Sequence, residues 1–576
     1  MGDRLGRVEA LVQQGIMPIS TDEGVAKIID LLKNPPARPA IVISGRFGEP
    51  PALKMKEPEL PLRRFLERKR VYYPGVELVV DADLSVPSDP YLNDHIVQKE
   101  RLLPAVIGLE AMAQTAMALA GTGQVPCFEQ VKLSRPVVID EHGSTTIRLA
   151  ALRRSPDSIE VALRSEGTDY GFDHFRVLCR FPSATRSKLK KERRPGRYRG
   201  SNRAYVPLLQ LDPATDLYGR ILFHEGRFQR VNGYRVLKAT ECLAEIKGDG
   251  NTKWFGPWLP ENFVLGDPGA RDAALHAVQA CIPHHRILPL SIESLAIFNT
   301  RAGGRVVSAR ETARDGNTFT YDLEIADPRG RIVERWIGLK LRAIETMPSR
   351  ASWPAALLAP YLERRLQELL ANNSITVALD QNGNGKSPHI VQSDPRHSET
   401  TFLFANGGSR AARADAAIQQ AIGKPSRVWR RPDGKPMTWN GKKISASHQH
   451  SLTLAMAGNQ IVACDVESVT PRAPAVWRDL LGESGCDLAE SIALERSEMF
   501  DITACRLWTI RECLKKAGAP VEAPLVQEAA AEDGWLVLRS GDLAIASYLI
   551  AVHGIKEPMA VAFAVGSGQP MRPAAA

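Results

Sequence analysis

Three acidic side chains in the C-terminal third of the chain could share one cation. Asp465 and Glu467 stand one residue apart in the predicted strand NQIVACDVESV, so both carboxylates leave the same face. Glu512 lies in the predicted helix LWTIRECLKKAG, one turn before Lys516. Carboxylates held close together repel each other unless a cation joins them. Taken singly, each pattern also fits an ordinary half-solvated strand or a surface ion pair.

A segment upstream of this strand and helix offers groups that could hold a phosphate. The stretch GKPMTWNGKKISASHQHS contains Lys435, Ser447 and His448, which together supply a positive charge and hydroxyl or imidazole donors.

A second set of candidate residues lies in the middle of the chain. His95 stands just ahead of the apolar segment PAVIGLEAMAQTAMALAG, and Asp272 starts DAALHAVQACI, with His276 one turn further on. His95 and Asp272 are 272 − 95 = 177 residues apart, one in each apparent half of a β-rich region. A structural histidine and an N-capping aspartate are the simpler alternatives.

The elements that must position these residues alternate between strands and helices. The segments VELVVDADL, TTIRLAALRR, SIEVALRS and DHFRVLCRF predict antiparallel strands around one helix that is apolar or small almost all round. Strands near 231–246, the helix at 272–282, and RVVSARETA, TFTYDLEIADP and RIVERWIGLKLRAIE repeat that order. We therefore expect two halves in which a sheet wraps a helix. An α+β region follows Pro348.

Composition excludes several classes of protein. Of the 576 residues, 44% are hydrophobic and 24% are charged, and this composition is usual for globular proteins. A chain of this length is too long for one domain. Between 186 and 203 nine basic residues face one acid, so this segment carries +8 of the formal +9 and reads as a linker. The eight cysteines show no CxxC spacing, and neither a signal peptide nor a membrane segment is evident. A reduced, cytoplasmic setting is expected, with neither membrane nor nucleic acid as partner.

The C-terminal motifs together resemble a known family. GKP (434–436), SASH (445–448), CDVES (464–468) and WTIRECLKKAG (508–518) resemble, in order and spacing, a phosphopantetheinyl transferase of the larger, pseudo-twofold type. The resemblance implies that Asp465, Glu467 and Glu512 hold Mg²⁺ on the pyrophosphate of coenzyme A. It implies that Glu512 or a metal-bound water takes the proton of a carrier-protein serine, and that Lys516 stabilises the departing 3′,5′-ADP.

The same resemblance implies a set of phosphate contacts. His448 and Lys435 would contact the phosphates of coenzyme A, and Arg410 and Arg413 are further candidates. Arg511 stands where the family usually has a lysine, and this substitution keeps the charge.

The middle region resembles a polyketide synthase dehydratase of double-hotdog fold. Asp272 and His276 match its DxxxQ/H pattern, while His95 and Pro104 match the ends of HxxxGxxxxP, in which Lys99 replaces the glycine. The resemblance implies that His95 removes the α-proton of a 3-hydroxyacyl thioester. Asp272, kept protonated by its apolar setting, would then donate a proton to the leaving hydroxyl. Because that segment lies against the acyl thioester in the family, we expect Lys99 to affect substrate geometry.

Four segments look like the dehydratase of iterative, enediyne-type polyketide synthases, whose chain also ends in a phosphopantetheinyl transferase: DPYLNDH, LPAVIGLEAMAQ, LFHEGRFQRV and LGDPGARDAALHAVQAC. Residues 1–45 resemble the tail of a ketoreductase, without a nucleotide-binding fingerprint. We therefore predict an α+β multidomain chain: a ketoreductase remnant and linker at 1–75, a double-hotdog dehydratase at 76–345 and a pseudo-twofold α+β transferase at 346–576. An acyl carrier protein, other polyketide synthase domains and a second copy of the chain are the expected partners.

Three alternatives remain open. The transferase alone could be active, with the hotdog region serving as a carrier-docking scaffold, a reading that Lys99 motivates. The hotdog region could instead be a thioesterase that releases a free acid. The basic segment at 186–203 could bind a polyanion, although its charge is confined to one predicted loop.

Overall fold

The computed structural model describes most of the chain between residue 59 and residue 566. The described residues are 9, 19–33, 35, 59–140, 143–181, 208–248, 252–301, 303–347, 350–370, 374–381, 387–390, 402–405, 410–423, 426–432, 434–438, 441–520, 522–528 and 534–566. The basic segment at 186–203 and most of the predicted ketoreductase remnant lie outside them. In the described part of the chain, no helix combines the length and the apolar character that a membrane crossing requires.

The N-terminal unit, up to Leu60, has one described helix, α1 (Thr21–Lys33). The Ser20 hydroxyl accepts a hydrogen bond from the Glu23 backbone N–H, and the Glu23 carboxylate accepts one from the Ser20 N–H. This reciprocal pair is a capping box, and it starts the helix.

Within the described residues, twelve antiparallel strands form one large sheet in the order β1-β2-β7-β8-β9-β5-β12-β15-β14-β13-β11-β10. The first half of this region contains β1 (Arg68–Tyr73), β2 (Glu77–Leu84), β3 (Ile96–Val97), β4 (Glu100–Leu102), α2 (Ala105–Ala120), β5 (Cys127–Leu133), β6 (Val138–Ile139), β7 (Thr145–Ser155), β8 (Ser158–Ser165) and β9 (Phe175–Arg180). The second half contains α3 (Pro213–Asp216), β10 (Val231–Leu237), β11 (Glu241–Ile246), α4 (Pro268–Gln279), β12 (His285–Ile297), β13 (Arg305–Asp315), β14 (Thr318–Ala326) and β15 (Ile332–Thr346).

The two halves repeat one plan. Each runs two strands, a buried helix, and then four more strands of the large sheet, and their places in the sheet mirror each other about the β5–β12 pair. The short β3, β4 and β6 form a separate sheet. This recurrence confirms the predicted α+β class and the two hotdog-like halves.

Both helices are enclosed because their residues are small or apolar nearly all round. In α2, 13 of 16 residues are buried, and in α4 11 of 12 are. Gly108 lets α2 approach β9 closely, since a Cβ there would lie 2.4 Å from the ring of Phe175. Asp267 caps α4 by accepting from the Ala270 N–H, so the N-cap alternative for Asp272 is wrong.

The C-terminal region also repeats a plan of strand, helix and hairpin. Its elements are α5 (Ala355–Leu369), β16 (Thr376–Gln381), β17 (Ser387–Ile390), β18 (Phe402–Ala405), α6 (Arg410–Ile422), β19 (Val428–Arg430), β20 (Pro436–Thr438), β21 (Lys443–Gln449), β22 (Leu452–Gly458), β23 (Val462–Ser468), α7 (Pro474–Arg496), α8 (Phe500–Ala517), β24 (Val526–Gln527), β25 (Leu536–Ser540), β26 (Leu543–Ile550) and β27 (Met559–Gly566). Sheet β16-β22-β21 matches β23-β27-β26 within the second sheet, β23-β27-β26-β25-β24.

Helix α5 connects the large sheet to the C-terminal region. The buried Glu363 carboxylate accepts hydrogen bonds from the backbone N–H groups of Ala239, in the dehydratase-like region, and Val377. Burial raises the pKa of Glu363 to about 7. The Lys238 ammonium donates to the Ala421 carbonyl, a second polar contact between these regions.

Candidate active site

The two hotdog-like halves enclose a cavity of about 240 Å³. Its wall is mostly apolar, and its polar side chains include His95 from the first half and Asp272, His276 and His224 from the second. The predicted His95 and Asp272 therefore meet at one cavity although 177 residues separate them (272 − 95). Apolar lining residues include Leu102, Leu133, Phe175, Phe223, Ile287 and Leu341.

His95 follows a 3-10 turn, Pro90–Asp94, and is held by the β3–β4 hairpin. Its Nδ1 lies 3.0 Å from the Leu102 carbonyl oxygen, and the Leu102 N–H donates to the His95 carbonyl. Because a carbonyl only accepts, Nδ1 carries the proton and the Nε2 lone pair is the basic site. Burial lowers the pKa of His95 below its ordinary value, although the charge of Asp272 opposes this shift.

Asp272 and His276 stand one turn apart on α4. The His276 Nε2 lies 2.9 Å from the Asp272 Oδ2, and the Tyr218 hydroxyl lies 3.4 Å from the His276 Nδ1. Tyr218 also accepts a hydrogen bond from the Val231 N–H, which fixes its hydroxyl. His276 therefore orients the Asp272 carboxyl, and Tyr218 in turn orients the His276 ring.

The helix that carries Asp272 is anchored by buried charges. The Glu334 carboxylate is fully buried and binds both Arg271 of α4 and Arg305 of β13. From the first half, the Glu110 carboxylate accepts from the backbone N–H groups of Val264 and Leu265, just before α4.

His224 is a site residue that the sequence analysis did not single out, although its segment LFHEGRFQRV carried the resemblance. Its Nε2 lies 3.6 Å from the Asp272 Oδ2, and its ring stacks on Phe223 and packs against His276. Within the described residues, its buried Nδ1 has no hydrogen-bond partner. Burial and then the neighbouring imidazoles lower the pKa of His224 far below its ordinary value. In the sequence, the aromatic residues next to His224 were the feature that could have pointed to it as a site residue.

Lys99, which replaces the glycine of the family pattern, lies at the exposed tip of the β3–β4 hairpin. Gln98 and Lys99 both have positive φ, 49° and 71°, which is a backbone conformation that glycine adopts at little cost. Lys99 does not line the cavity. Pro104 immediately precedes α2.

Some of the C-terminal candidate residues also come together. The Asp465 Oδ1 accepts from the Lys516 ammonium at 2.6 Å and from the Ser447 hydroxyl at 2.7 Å. Burial and then the charge of Asp465 raise the pKa of Glu467, and Glu512 adds to this effect. Lys516 thus pairs with Asp465, while Glu512 faces Lys515 at 3.6 Å.

His448 lies within the influence of several cationic side chains. Burial lowers the pKa of His448 to about 4, and the charges of Arg410, Arg413 and Lys516 add to the shift. The His448 Nδ1 lies 3.0 Å from the Thr453 hydroxyl. Lys435 is exposed, next to the β19–β20 hairpin.

The carboxylates fit a hard cation by their chemistry. Asp465 is 4% exposed, and its Oδ2 has no hydrogen-bond partner within the described residues. Carboxylate oxygens are the donors that Mg²⁺ prefers. Asp465, Glu467 and Glu512 offer donors of the type that suits Mg²⁺, but among the described residues their oxygens do not all lie within 4.8 Å of one another, and Lys516 pairs with the Asp465 Oδ1.

Comparison with known proteins identifies the middle region. A family model described as polyketide synthase dehydratase domain matches residues 68–166, and one described as polyketide synthase dehydratase N-terminal domain matches residues 203–351. No curated protein matches the chain.

Solved dehydratase domains resemble about half of the chain at low identity. That of a mycocerosic acid synthase-like polyketide synthase is 17% identical, with 50% of this chain and 99% of that chain covered and a TM-score of 0.40. That of the CurK module of the curacin synthase is 18% identical, with 49% and 99% covered and a TM-score of 0.40. That of PpsC from Mycobacterium tuberculosis is 16% identical, with 49% and 100% covered and a TM-score of 0.38.

The family matches fall on both hotdog-like halves and on the residues that enclose the cavity. Within the middle region, residues 68–166 and residues 203–351 are therefore the parts that match the polyketide synthase dehydratase family.

Proposed function

We propose that this domain removes water from carrier-bound 3-hydroxyacyl thioesters and leaves enoyl thioesters. The observation that carries the proposal is the meeting of His95 and Asp272, whose ligand-type atoms lie within 4.8 Å of each other at one apolar cavity. A base and an acid that close together can act on adjacent carbons of one substrate.

The reaction balances with these two groups. The His95 Nε2 takes the α-proton, the C–H electron pair forms the double bond, and the β-hydroxyl leaves as water with a proton from Asp272. The lowered pKa of His95 keeps its imidazole neutral at pH 7, as a general base requires. His276 orients the carboxyl. Proton exchange with solvent afterwards restores both groups.

The test is to identify the product formed from a 3-hydroxyacyl carrier protein by mass spectrometry. The native chain should give the enoyl thioester, and Asp272→Asn should give almost none. Equal dehydration by Asp272→Asn would contradict the role given to Asp272, and no enoyl thioester from the native chain would favour the scaffold alternative. Release of a free acid would favour a thioesterase.

We further propose that the C-terminal region transfers 4′-phosphopantetheine from coenzyme A to a carrier-protein serine. The supporting observation is the buried, unpartnered Asp465 Oδ2 beside Glu467, within the described residues. Asp465, Glu467 and Glu512 would hold Mg²⁺, which supplies positive charge at the pyrophosphate when bound.

The remaining residues have separate roles in this proposal. Glu512 accepts the proton of the attacking serine, and Lys516 stabilises the negative charge on departing 3′,5′-ADP. His448, Arg410, Arg413 and Lys435 bind phosphates of coenzyme A.

Intact-mass spectrometry tests this second proposal. An apo carrier protein incubated with the native chain, coenzyme A and Mg²⁺ should gain one phosphopantetheine, and Glu512→Ala should abolish the gain. Glu490→Ala, at an exposed position of α7, is the matched control and should behave like the native chain. A gain that survives Glu512→Ala would contradict the assignment.

The partners follow from these activities. Other polyketide synthase domains are implied by the dehydratase domain itself. We propose an acyl carrier protein as the substrate carrier, an enediyne-type synthase as the parent enzyme, and pairing of two copies of the chain.

A further inference from the structure

Three buried side chains at the dehydratase cavity bring metal-ligating atoms close together. The ligand-type atoms of His95, His224 and Asp272 all lie within 4.8 Å of one another. We propose that these residues bind one divalent ion of the zinc type and that the bound ion inhibits dehydration.

The separation of two of the donors fits a shared metal better than a direct contact. The His224 Nε2 and the Asp272 Oδ2 are 3.6 Å apart, which is too long for a hydrogen bond. Two donors that each lie about 2.0–2.1 Å from a tetrahedral Zn²⁺ stand about 3.3–3.4 Å apart. A small shift of either side chain would bring this pair to the spacing of metal ligands.

The chemistry of the donors selects the ion. Two imidazole nitrogens and one carboxylate oxygen suit Zn²⁺, Co²⁺ or Fe²⁺, whereas Mg²⁺ prefers oxygen donors alone. His95, His224 and Asp272 are 8%, 6% and 3% exposed, so bulk water competes little for the bound ion.

Two of the three ligands already have the supporting contacts that metal ligands usually have. The His95 Nδ1 is held by the Leu102 carbonyl, which directs the Nε2 lone pair away from that contact. The Asp272 Oδ2 receives the His276 Nε2 at 2.9 Å. His224 is different, because its buried Nδ1 has no hydrogen-bond partner within the described residues and its ring is held by packing against Phe223 and the neighbouring imidazoles.

Occupation of the site would block the proposed reaction. The metal would take the Nε2 lone pair of His95, which is the pair that accepts the α-proton. The cavity of about 240 Å³ has room for water as a fourth ligand. The metal binding itself does not depend on the proposed function, whereas the inhibition does.

The binding test uses the full chain, freed of metal with a chelator, and titrates it with Co²⁺ in excess Mg²⁺. The excess Mg²⁺ would compete with Co²⁺ for carboxylate sites but not for imidazole. The native chain should bind one Co²⁺ with visible d–d absorption and no thiolate charge-transfer band. His224→Phe, which keeps the ring stacking, and Asp272→Asn should each weaken binding by on the order of 100-fold or more.

His553→Gln is the matched control, since His553 is an exposed histidine 4.0 Å from Asp216, outside the cavity. It should bind Co²⁺ like the native chain. Circular dichroism of each variant establishes that it is folded, and the two cavity variants serve as checks on each other. Binding that is equal in the native chain, His224→Phe and Asp272→Asn, or no binding at all, would overturn the site.

The inhibition test adds one equivalent of Zn²⁺ to the dehydration assay. Turnover by the native chain should fall at least tenfold and recover when a chelator is added. Unchanged turnover in a chain that binds the ion would overturn the inhibition. A native chain that binds the ion but dehydrates nothing even without metal would refute the proposed function and leave the metal site standing.

Discussion

The two buried helices of the dehydratase domain carry the same kind of polar pair and use it differently. In α2 the Gln114 amide donates to the Glu110 carboxylate at 2.8 Å, and in α4 the His276 Nε2 lies 2.9 Å from the Asp272 carboxylate, one turn apart in each case. Glu110 is also bonded to two backbone N–H groups near the start of α4, whereas Asp272 lines the cavity. Glu110 of the first half thus fixes a segment of the second half, whereas the Asp272 carboxyl faces the cavity.

This difference explains how a repeated fold acquires a single site. A carboxylate whose oxygens are taken by backbone donors can stabilise a loop but has little capacity left for catalysis. Burial raises the pKa of Glu110, while its backbone hydrogen bonds oppose the shift. The first half instead supplies His95 from a short hairpin outside its helix.

The largest expected effect separates the two carboxylates by activity. Asp272→Asn keeps an acceptor for His276 but cannot donate the proton, so kcat should fall by about 10²–10⁴ with little change in Tm. Steady-state kinetics and thermal unfolding measure both quantities. A lower Tm with unchanged kcat would mean that Asp272, like Glu110, is structural.

Glu110→Gln should show the opposite behaviour. The new amide NH₂ would face a backbone N–H of Val264 or Leu265, and a buried unsatisfied donor costs about 1–3 kcal/mol of unfolding free energy. Urea unfolding gives this value. A variant as stable as the native chain would show that the two N–H groups do not depend on this carboxylate.

The pH profile tests which half supplies the base. Because burial lowers the pKa of His95 below 6.5, kcat/KM should stay level as the pH falls through 6.5 and then drop about tenfold per unit below the lowered pKa. A decline centred at or above pH 6.5 would point to another base.

Tyr218→Phe removes a hydroxyl 3.4 Å from the His276 Nδ1 and should lower kcat about fivefold, with KM unchanged, if it contributes about 1 kcal/mol. Tyr234→Phe is the matched control, because the Tyr234 hydroxyl donates to Ala277 of the same helix without a hydrogen bond to His276. An equal fall in kcat in both variants would mean that the Tyr218 hydroxyl does not act through His276.

The smallest effect concerns the hairpin that carries His95. Lys99→Gly relieves a positive φ but loosens the unfolded chain, so the unfolding free energy should rise by less than about 1 kcal/mol. Since Lys99 is exposed and outside the cavity wall, kcat should not change. A large change in kcat would support the expectation from the sequence that this residue affects substrate geometry.

The sequence predicted the two buried helices and most strands of the dehydratase domain because their apolar patterns are strong and their spacing regular, but it did not predict α3 or the central strands β5 and β12. It placed His95 and Asp272 in opposite halves, and the structure brings them to one cavity. It could not predict His224 as a neighbour, since a lone histidine between strands gives no periodic signal and only tertiary packing sets its position.

In the C-terminal region local spacing was a weaker guide. Glu512 and Lys516 share a helix face, yet Lys516 pairs with Asp465 of the adjacent strand, because a buried carboxylate attracts the nearest cation whatever its distance in sequence. Helix α7 was not predicted, and the non-helical Gly482 interrupts its pattern.

The most direct test of the central claim is a double-mutant cycle on the dehydration rate. Single-turnover rates would be measured for the native chain, His95→Gln, Asp272→Asn and the double variant, all with one carrier-bound 3-hydroxyacyl thioester. If the two groups act as one unit, the double variant should be no slower than the slower single variant. Rate losses that multiply, or a single variant close to the native rate, would contradict a shared catalytic pair.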